Sequence, residues 1–168
     1  MISTNYEPIE HTLAVFPFGK GFGYAYFENL LEPKHYGIIT IKPAENYRCM
    51  RRIDALVESY QPNIIILPTP DGKHNRKRKR VQELLKEITD YAKMRDISIR
   101  TYSREQIRLV FEQFEARSKL EIAEKICLWM EQLEKYQPMH RKRYMPEDYY
   151  QPMFDAISLF ITHNHITQ

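Results

Sequence analysis

The sequence predicts a single α/β domain, built on a mixed five-stranded sheet with helices on both faces. Three observations carry this. Aromatic-rich, β-prone segments crowd the first 42 residues, and a tight glycine turn separates the first two. A short unbroken apolar run, Asn63-Ile64-Ile65-Ile66-Leu67, stands between prolines, as a strand buried on both faces does. Beyond it, segments with helical apolar spacing alternate with one more short strand. The 168 residues suffice for one core and not comfortably for two. Apolar residues at 43% and charged residues at 28% are ordinary globular usage, which excludes collagen-like and low-complexity chains.

Residues 13–18 and 22–28 read as a hairpin around Gly19-Lys20-Gly21, with Pro17 awkward in a central strand. Residues 36–42 read as a third strand closed by Pro43. Residues 45–60 read as a helix, with Met50, Ile53, Leu56 and Val57 at helical spacing. A second helix over 76–95 carries the stripe Val81, Leu84, Leu85, Ile88 and Ala92, and 97–101 is a short strand. Ser103 and Gln106 form a capping box for a helix over 104–113. Residues 118–135 read as one long amphipathic helix, with Ile122, Ala123, Ile126, Trp129 and Leu133 facing the core. A polar, basic loop over 137–148 precedes a last helix at about 150–163, which carries Ala156, Ile157, Leu159, Phe160 and Ile161. No repeat or linker interrupts residues 1–168, so one domain is expected.

No apolar run approaches the roughly 18 residues that a membrane-spanning helix needs. The start, MISTNYEPIEHTLAVF, has no basic region and no small-residue cleavage site, so a secretory signal is not expected. Cys49 and Cys127 lack CxxC spacing, which argues against a disulfide framework or a zinc site and for a reducing cytoplasm.

The net charge of +3 is mild, but the basic residues are clumped. Six of the eight residues from Lys73 to Arg80 are basic: Lys73, Arg76, Lys77, Arg78, Lys79 and Arg80. His140-Arg141-Lys142-Arg143 forms a second cluster. Such clumps are the footprint of a polyanion, because each cation that neutralises a phosphate releases counterions. The competing reading is a solvated basic loop or helix start.

Four stretches, in this order, resemble the RuvC family of Holliday-junction endonucleases, a branch of the ribonuclease-H-like fold. They are LAVFPFGKGFGYAYFE, with Gly23-Tyr24; YQPNIIILP; TYSREQIRLVF followed by ARSKLEIAEKI, with Lys119; and FDAISLFITH, with Asp155. The resemblance implies an α/β ribonuclease-H-like sheet, a homodimer and a branched-DNA partner. It also implies catalysis by two Mg²⁺ ions about 3.5–4 Å apart, held by carboxylates. The family's four acidic positions fall at Phe16, Pro68, Pro152 and Asp155, so only Asp155 is retained as a catalytic and metal-binding candidate.

Glu28, Asp71, Glu147 and Asp148 are the acids that would have to substitute, and Asp71 with Asp155 would make a weak single-metal site. The competing role for Asp155 is an acid capping the first turn of the last helix. His163 and His165 read as a frayed polar tail rather than a metal pair. The Gly19–Gly23 stretch lacks the helix that follows a phosphate loop, so it reads as a hairpin turn. Ser103 and Ser118 read as helix starts, and Cys127 and Trp129 as core. Tyr144, Tyr149 and Tyr150, near the second basic cluster, are placed to stack on bases.

The expected function is nucleic-acid binding, to DNA and to branched DNA in particular, with most of the catalytic carboxylates lost. Lys20, Lys73, Arg76, Lys77, Arg78, Lys79, Arg80, Lys119, Arg141, Lys142 and Arg143 form the expected contact set; Lys119 otherwise reads as an ordinary surface lysine. Binding to phosphates would be salt-sensitive and weakly sequence-selective. The balance leans away from an enzyme. The alternative is an active Mg²⁺-dependent, structure-selective endonuclease, a Holliday junction resolvase using Glu28, Asp71, Asp148 and Asp155. A second alternative is a protein-interaction module. No membrane partner is expected.

Overall fold

The computed structural model describes residues 10–28, 31–70, 79–140, 142 and 144–168. The strands are β1 (His11–Phe18), β2 (Gly21–Glu28), β3 (Pro33–Thr40), β4 (Ile64–Pro68) and β5 (Ser98–Tyr102). They form one sheet in the order β3-β2-β1-β4-β5. β3, β2 and β1 pair antiparallel as a meander, and β1, β4 and β5 pair parallel. The helices are α1 (Asn46–Tyr60), α2 (Lys79–Met94), α3 (Arg104–Glu112), α4 (Lys119–Trp129) and α5 (Gln151–Thr167), with a 3-10 helix at Glu131–Tyr136.

The alternation of side chains along each strand builds two cores. Leu13 and Val15 of β1, with Ile65 and Leu67 of β4, face α1 and α2. Ala14 and Ile66 face α3, α4 and α5. The expected α2 stripe, from Val81 to Ala92, is buried as predicted. So is the capping box: Ser103 Oγ accepts from Gln106 N–H at 3.1 Å, and Gln106 Oε1 accepts from Ser103 N–H at 2.8 Å. Both cysteines are buried and unpaired, and burial pushes the Cys127 thiol up to about 11, as a core residue requires.

Pro17 is tolerated because β1 pairs with β4 only from Thr12 to Ala14. Beyond that point β1 is an edge on the β4 side, where a missing N–H breaks no ladder. The carboxyl-terminal ends of β1 and β4 therefore separate.

Three expectations are corrected. The helix over 118–135 breaks at Met130 (φ −130°, ψ 81°) into α4 and the 3-10 helix. The break keeps both Met130 and Leu133 buried. Trp129 is 41% exposed, lying against Phe111 and Phe114 at the edge of the core rather than inside it. His163 is no tail residue: α5 continues to Thr167, and His163 is buried with Nδ1 at 2.6 Å from the Tyr102 hydroxyl.

α5 is the central helix, buried at every position from Gln151 to His163. Its hydroxyls are satisfied within the helix, Ser158 donating to Asp155 O and Thr162 to Ser158 O. Among the described residues, no helix is long and apolar enough to cross a membrane.

Candidate functional site

The four positions picked out by the resemblance converge at one end of the sheet. Phe16 pairs with Gly23 across the hairpin. A β-carbon at Gly23 would overlap the Pro152 carbonyl, so only glycine lets the first turn of α5 rest on β2 there. Ala14 pairs with Ile66, which brings Pro68, two residues on, towards the level of Phe16 on the same face. Phe16 packs against the apolar cluster that contains Met153 and Phe154. The two prolines and the phenylalanine present no side-chain oxygen.

Asp155 lies one turn into α5 and is 8% exposed. It does not cap the helix: Tyr150 is the N-cap, and no acid lies in the first turn. Its Oδ1 accepts from Gln151 Nε2 at 3.0 Å. Its Oδ2 lies 3.5 Å from Lys119 Nζ, an ion-pair contact too long for a strong hydrogen bond. Lys119 Nζ also lies 3.4 Å from Glu147 Oε1. Lys119 is the first residue of α4, whose start is fixed by Ser118 Oγ accepting from Glu121 N–H. A cation at that end of a helix opposes the dipole, and the two carboxylates offset it. Burial raises the Asp155 pKa, while Lys119 and Gln151 pull it down and Glu147 pushes it up.

These residues do not fit a pair of divalent ions. Mg²⁺ demands near-octahedral oxygen ligation at about 2.0–2.1 Å. Here the single carboxylate among the four positions is already occupied by an amide donor and an ammonium. Among the described residues, no three His, Cys, Asp or Glu side chains come together to hold a metal.

The rearranged acidic set does not assemble among the described residues either. Glu28 pairs with His11, at the opposite end of the hairpin from Gly23. Glu28 lies five residue steps beyond Gly23 along β2, about 17 Å at the usual strand rise. Glu28 instead accepts from the Tyr26 hydroxyl at 3.2 Å. Asp148 is used in the turn before α5, with Oδ1 accepting from Tyr150 N–H at 2.9 Å. Asp71 lies outside the described residues.

The basic residues divide as well. Lys73, Arg76, Lys77, Arg78, Arg141 and Arg143 lie outside the described residues. Lys20, in the β1–β2 turn, is exposed, and so are Lys79 and Lys142. Arg80 is not a free cation. Its Nη2 donates to the carbonyls of Phe18 at 3.2 Å and Gly19 at 2.7 Å, and its Nη1 to Asn46 Oδ1 at 3.1 Å. Asn46 Nδ2 donates back to Arg80 O at 3.0 Å. Arg80 thus braces the hairpin turn against the starts of α1 and α2, where β1 has lost its β4 partner. Lys79, the residue before Arg80, starts α2 at the end of the sheet that carries Lys20; α2 packs on one face of the sheet and α5, with Asp155, on the other. Lys119 is likewise committed, to Glu147 and Asp155.

Sequence reasoning missed three roles. Gln151 holds Asp155 from four residues earlier, a spacing that a helix-face reading would have flagged. Glu147 shares Lys119 across 28 residues, and Arg80 reaches Gly19 across 61. Nothing local announces either contact.

No protein-family model matches the chain, and no curated protein sequence does. Solved structures do. Thermus thermophilus RuvC, in complex with a Holliday junction substrate, is similar with a TM-score of 0.69 at 14% identity, covering 94% of each chain. A second Thermus thermophilus RuvC structure is similar with a TM-score of 0.65 at 13% identity, covering 93% of this chain and 94% of that one. The yeast mitochondrial Holliday junction resolvase Ydc2 is similar with a TM-score of 0.59 at 10% identity, covering 98% of this chain and 86% of that one. Over nearly its whole described length, the chain has the ribonuclease-H-like α/β fold in its RuvC-like form.

Proposed function

We propose that this protein binds nucleic acid at the carboxyl-terminal end of its sheet without cutting it through metal-held carboxylates. One observation carries the reading. Asp155, the one acid at the four positions, is paired with Lys119 and hydrogen-bonded by Gln151 from within, while Lys20 and Lys79 stand exposed at the same end. Open α/β sheets bind ligands at this end, beyond the strand termini. The similar Thermus RuvC structure holds a Holliday junction, which makes branched DNA the first ligand to try.

The test is a titration of labelled four-way junction, duplex and single-stranded DNA, with and without Mg²⁺, reading binding and cleavage together. Binding that weakens steeply between low and moderate salt, with no cleavage, is the expected result. Mg²⁺-dependent cleavage abolished by Asp155→Asn would overturn it. So would an affinity indifferent to salt.

A further inference from the structure

We propose that the tyrosines ranked beside the start of α5 form a stacking subsite for an unpaired nucleobase. The proposal rests on the nucleic-acid reading and sharpens it.

Tyr136 of the 3-10 helix is the middle of the rank. It meets Tyr36 of the edge strand β3 edge-on, at 6.1 Å and 73°, and Tyr150 at 4.8 Å and 52°. Tyr150 meets Tyr149 edge-on at 5.0 Å and 85°. Tyr36, Tyr136 and Tyr150 rest on the apolar cluster beneath α5, which fixes their rings. Tyr149, at the outer end, is 60% exposed. The Asp148 carboxylate holds the turn that presents it, through the Tyr150 N–H. Rigid rings with an open outermost member are what base stacking needs, because little ordering is left to do on binding.

At the Tyr36 end of the rank, the opposite end from Tyr149, lies a shallow open cleft lined by Tyr36, Gln132, Lys135, Glu131 and Glu134. Its chemistry selects among occupants. The two glutamates repel phosphate and accept from N–H groups, such as the exocyclic amines of bases. Lys135 Nζ already sits 5.1 Å over the Tyr136 ring, so an incoming cation would meet a like charge. A flat, neutral group with N–H donors fits both facts. Bases in a duplex keep their faces and pairing edges covered, so the occupant is an unpaired one. The rank reaches α5 at Tyr150, five residues before Asp155, so such a base would lie next to the basic end of the sheet.

The probe is a single-stranded oligonucleotide carrying one 2-aminopurine and a terminal dye. 2-Aminopurine fluorescence reports stacking, and dye anisotropy reports total binding. The wild-type protein is expected to quench 2-aminopurine in the single strand and not in the matching duplex. Tyr149→Ala is expected to abolish the quench and weaken single-strand binding about tenfold. Tyr149→Phe, which keeps the ring, is expected to retain both. Anisotropy showing binding with no change in 2-aminopurine would overturn the stacking subsite and leave the nucleic-acid reading standing. No binding at low salt would overturn both. A labelled oligolysine peptide is the second arm: if Tyr149→Ala weakens the peptide and not the oligonucleotide, the tyrosine rank takes a basic protein segment and the proposal fails.

Discussion

The two ends of α5 bury polar groups in different ways. At the amino-terminal end, Asp155 is met by Gln151 from its own helix and by Lys119 from α4, and Lys119 in turn reaches Glu147. At the carboxyl-terminal end, His163 is met by the Tyr102 hydroxyl, with Glu10 Oε2 3.6 Å from Nε2. Between them the helix is apolar, with Phe160 stacked on Phe27 at 3.6 Å. The first end lies by the exposed lysines and the parted ends of β1 and β4. The second reaches the edge strand β5, whose last residue Tyr102 pairs with Pro68, and Glu10 just before β1. A charge network built from three chain segments, placed where the strands part, stays half-open to water through Lys119 and Glu147. A neutral imidazole clamped by a tyrosine belongs to the interior. Burying a charge is costly unless it is paired, so the ion network marks where the fold retains charge against its own stability.

The largest way to break the amino-terminal end is to fill the space that joins it to the sheet. Gly23→Val places atoms where the Pro152 carbonyl lies. Backbone cannot yield as a flexible side chain does, so the cost is expected to be about 3 kcal/mol. Urea unfolding measures it. An unchanged midpoint would mean that α5 does not depend on this contact.

Next in size is the cation. Lys119→Met leaves Asp155 buried without its counterion and Glu147 beside it. Discounted for the partial exposure of Lys119, the loss is expected to be about 2 kcal/mol near neutral pH. In the double variant with Asp155→Asn, most of that loss should disappear, because no buried carboxylate is then stranded. A double-mutant cycle by chemical unfolding reads the coupling directly. Additive losses would show that Lys119 and Asp155 are neighbours without interacting.

The same contrast explains what was legible in the sequence. The stripe from Val81 to Ala92 and the Ser103–Gln106 box were readable because each is local, set by helical period or by a three-residue reach. The convergence of Phe16, Pro68, Pro152 and Asp155 was readable only through resemblance, since strand register and helix packing join them. The roles of Arg80 and Lys119 were hidden. A lysine or arginine in a basic run looks like its neighbours until tertiary structure gives it carbonyls or carboxylates to hold. His163 was misread because the polar run from His163 to Gln168 resembles a tail, whereas its burial depends on Tyr102, which lies 61 residues away. The break at Met130 was hidden for the same reason: the helical period continues through it, and only the packing of Leu133 requires the turn to tighten.

The smallest expected effect, and the one that separates the two ends, is the response to pH. Burial lifts the Asp155 pKa above its ordinary 3.8, against the pull of Lys119 and Gln151. The folded state then holds that proton more tightly than the unfolded chain. Its contribution to stability is full below 3.8 and declines as pH rises through the folded value. Burial also depresses His163 below its ordinary 6.5, with Arg100 acting in the same sense and Glu10 against it. Here the unfolded chain binds the proton more tightly, so the contribution is full above 6.5 and is lost as pH falls through the folded value. Melting temperatures from about pH 4 to 8 should show this in two variants. His163→Gln should flatten the decline that the wild type shows just below pH 6.5. Asp155→Asn should leave that decline intact and lose ground against the wild type only towards the acid end, because it lacks the carboxyl whose protonation favours the fold. If both variants ran parallel to the wild type throughout, the two ends of α5 would be electrostatically equivalent, and the contrast between the proposed ligand face and a closed interior would have to rest on Lys20 and Lys79 alone.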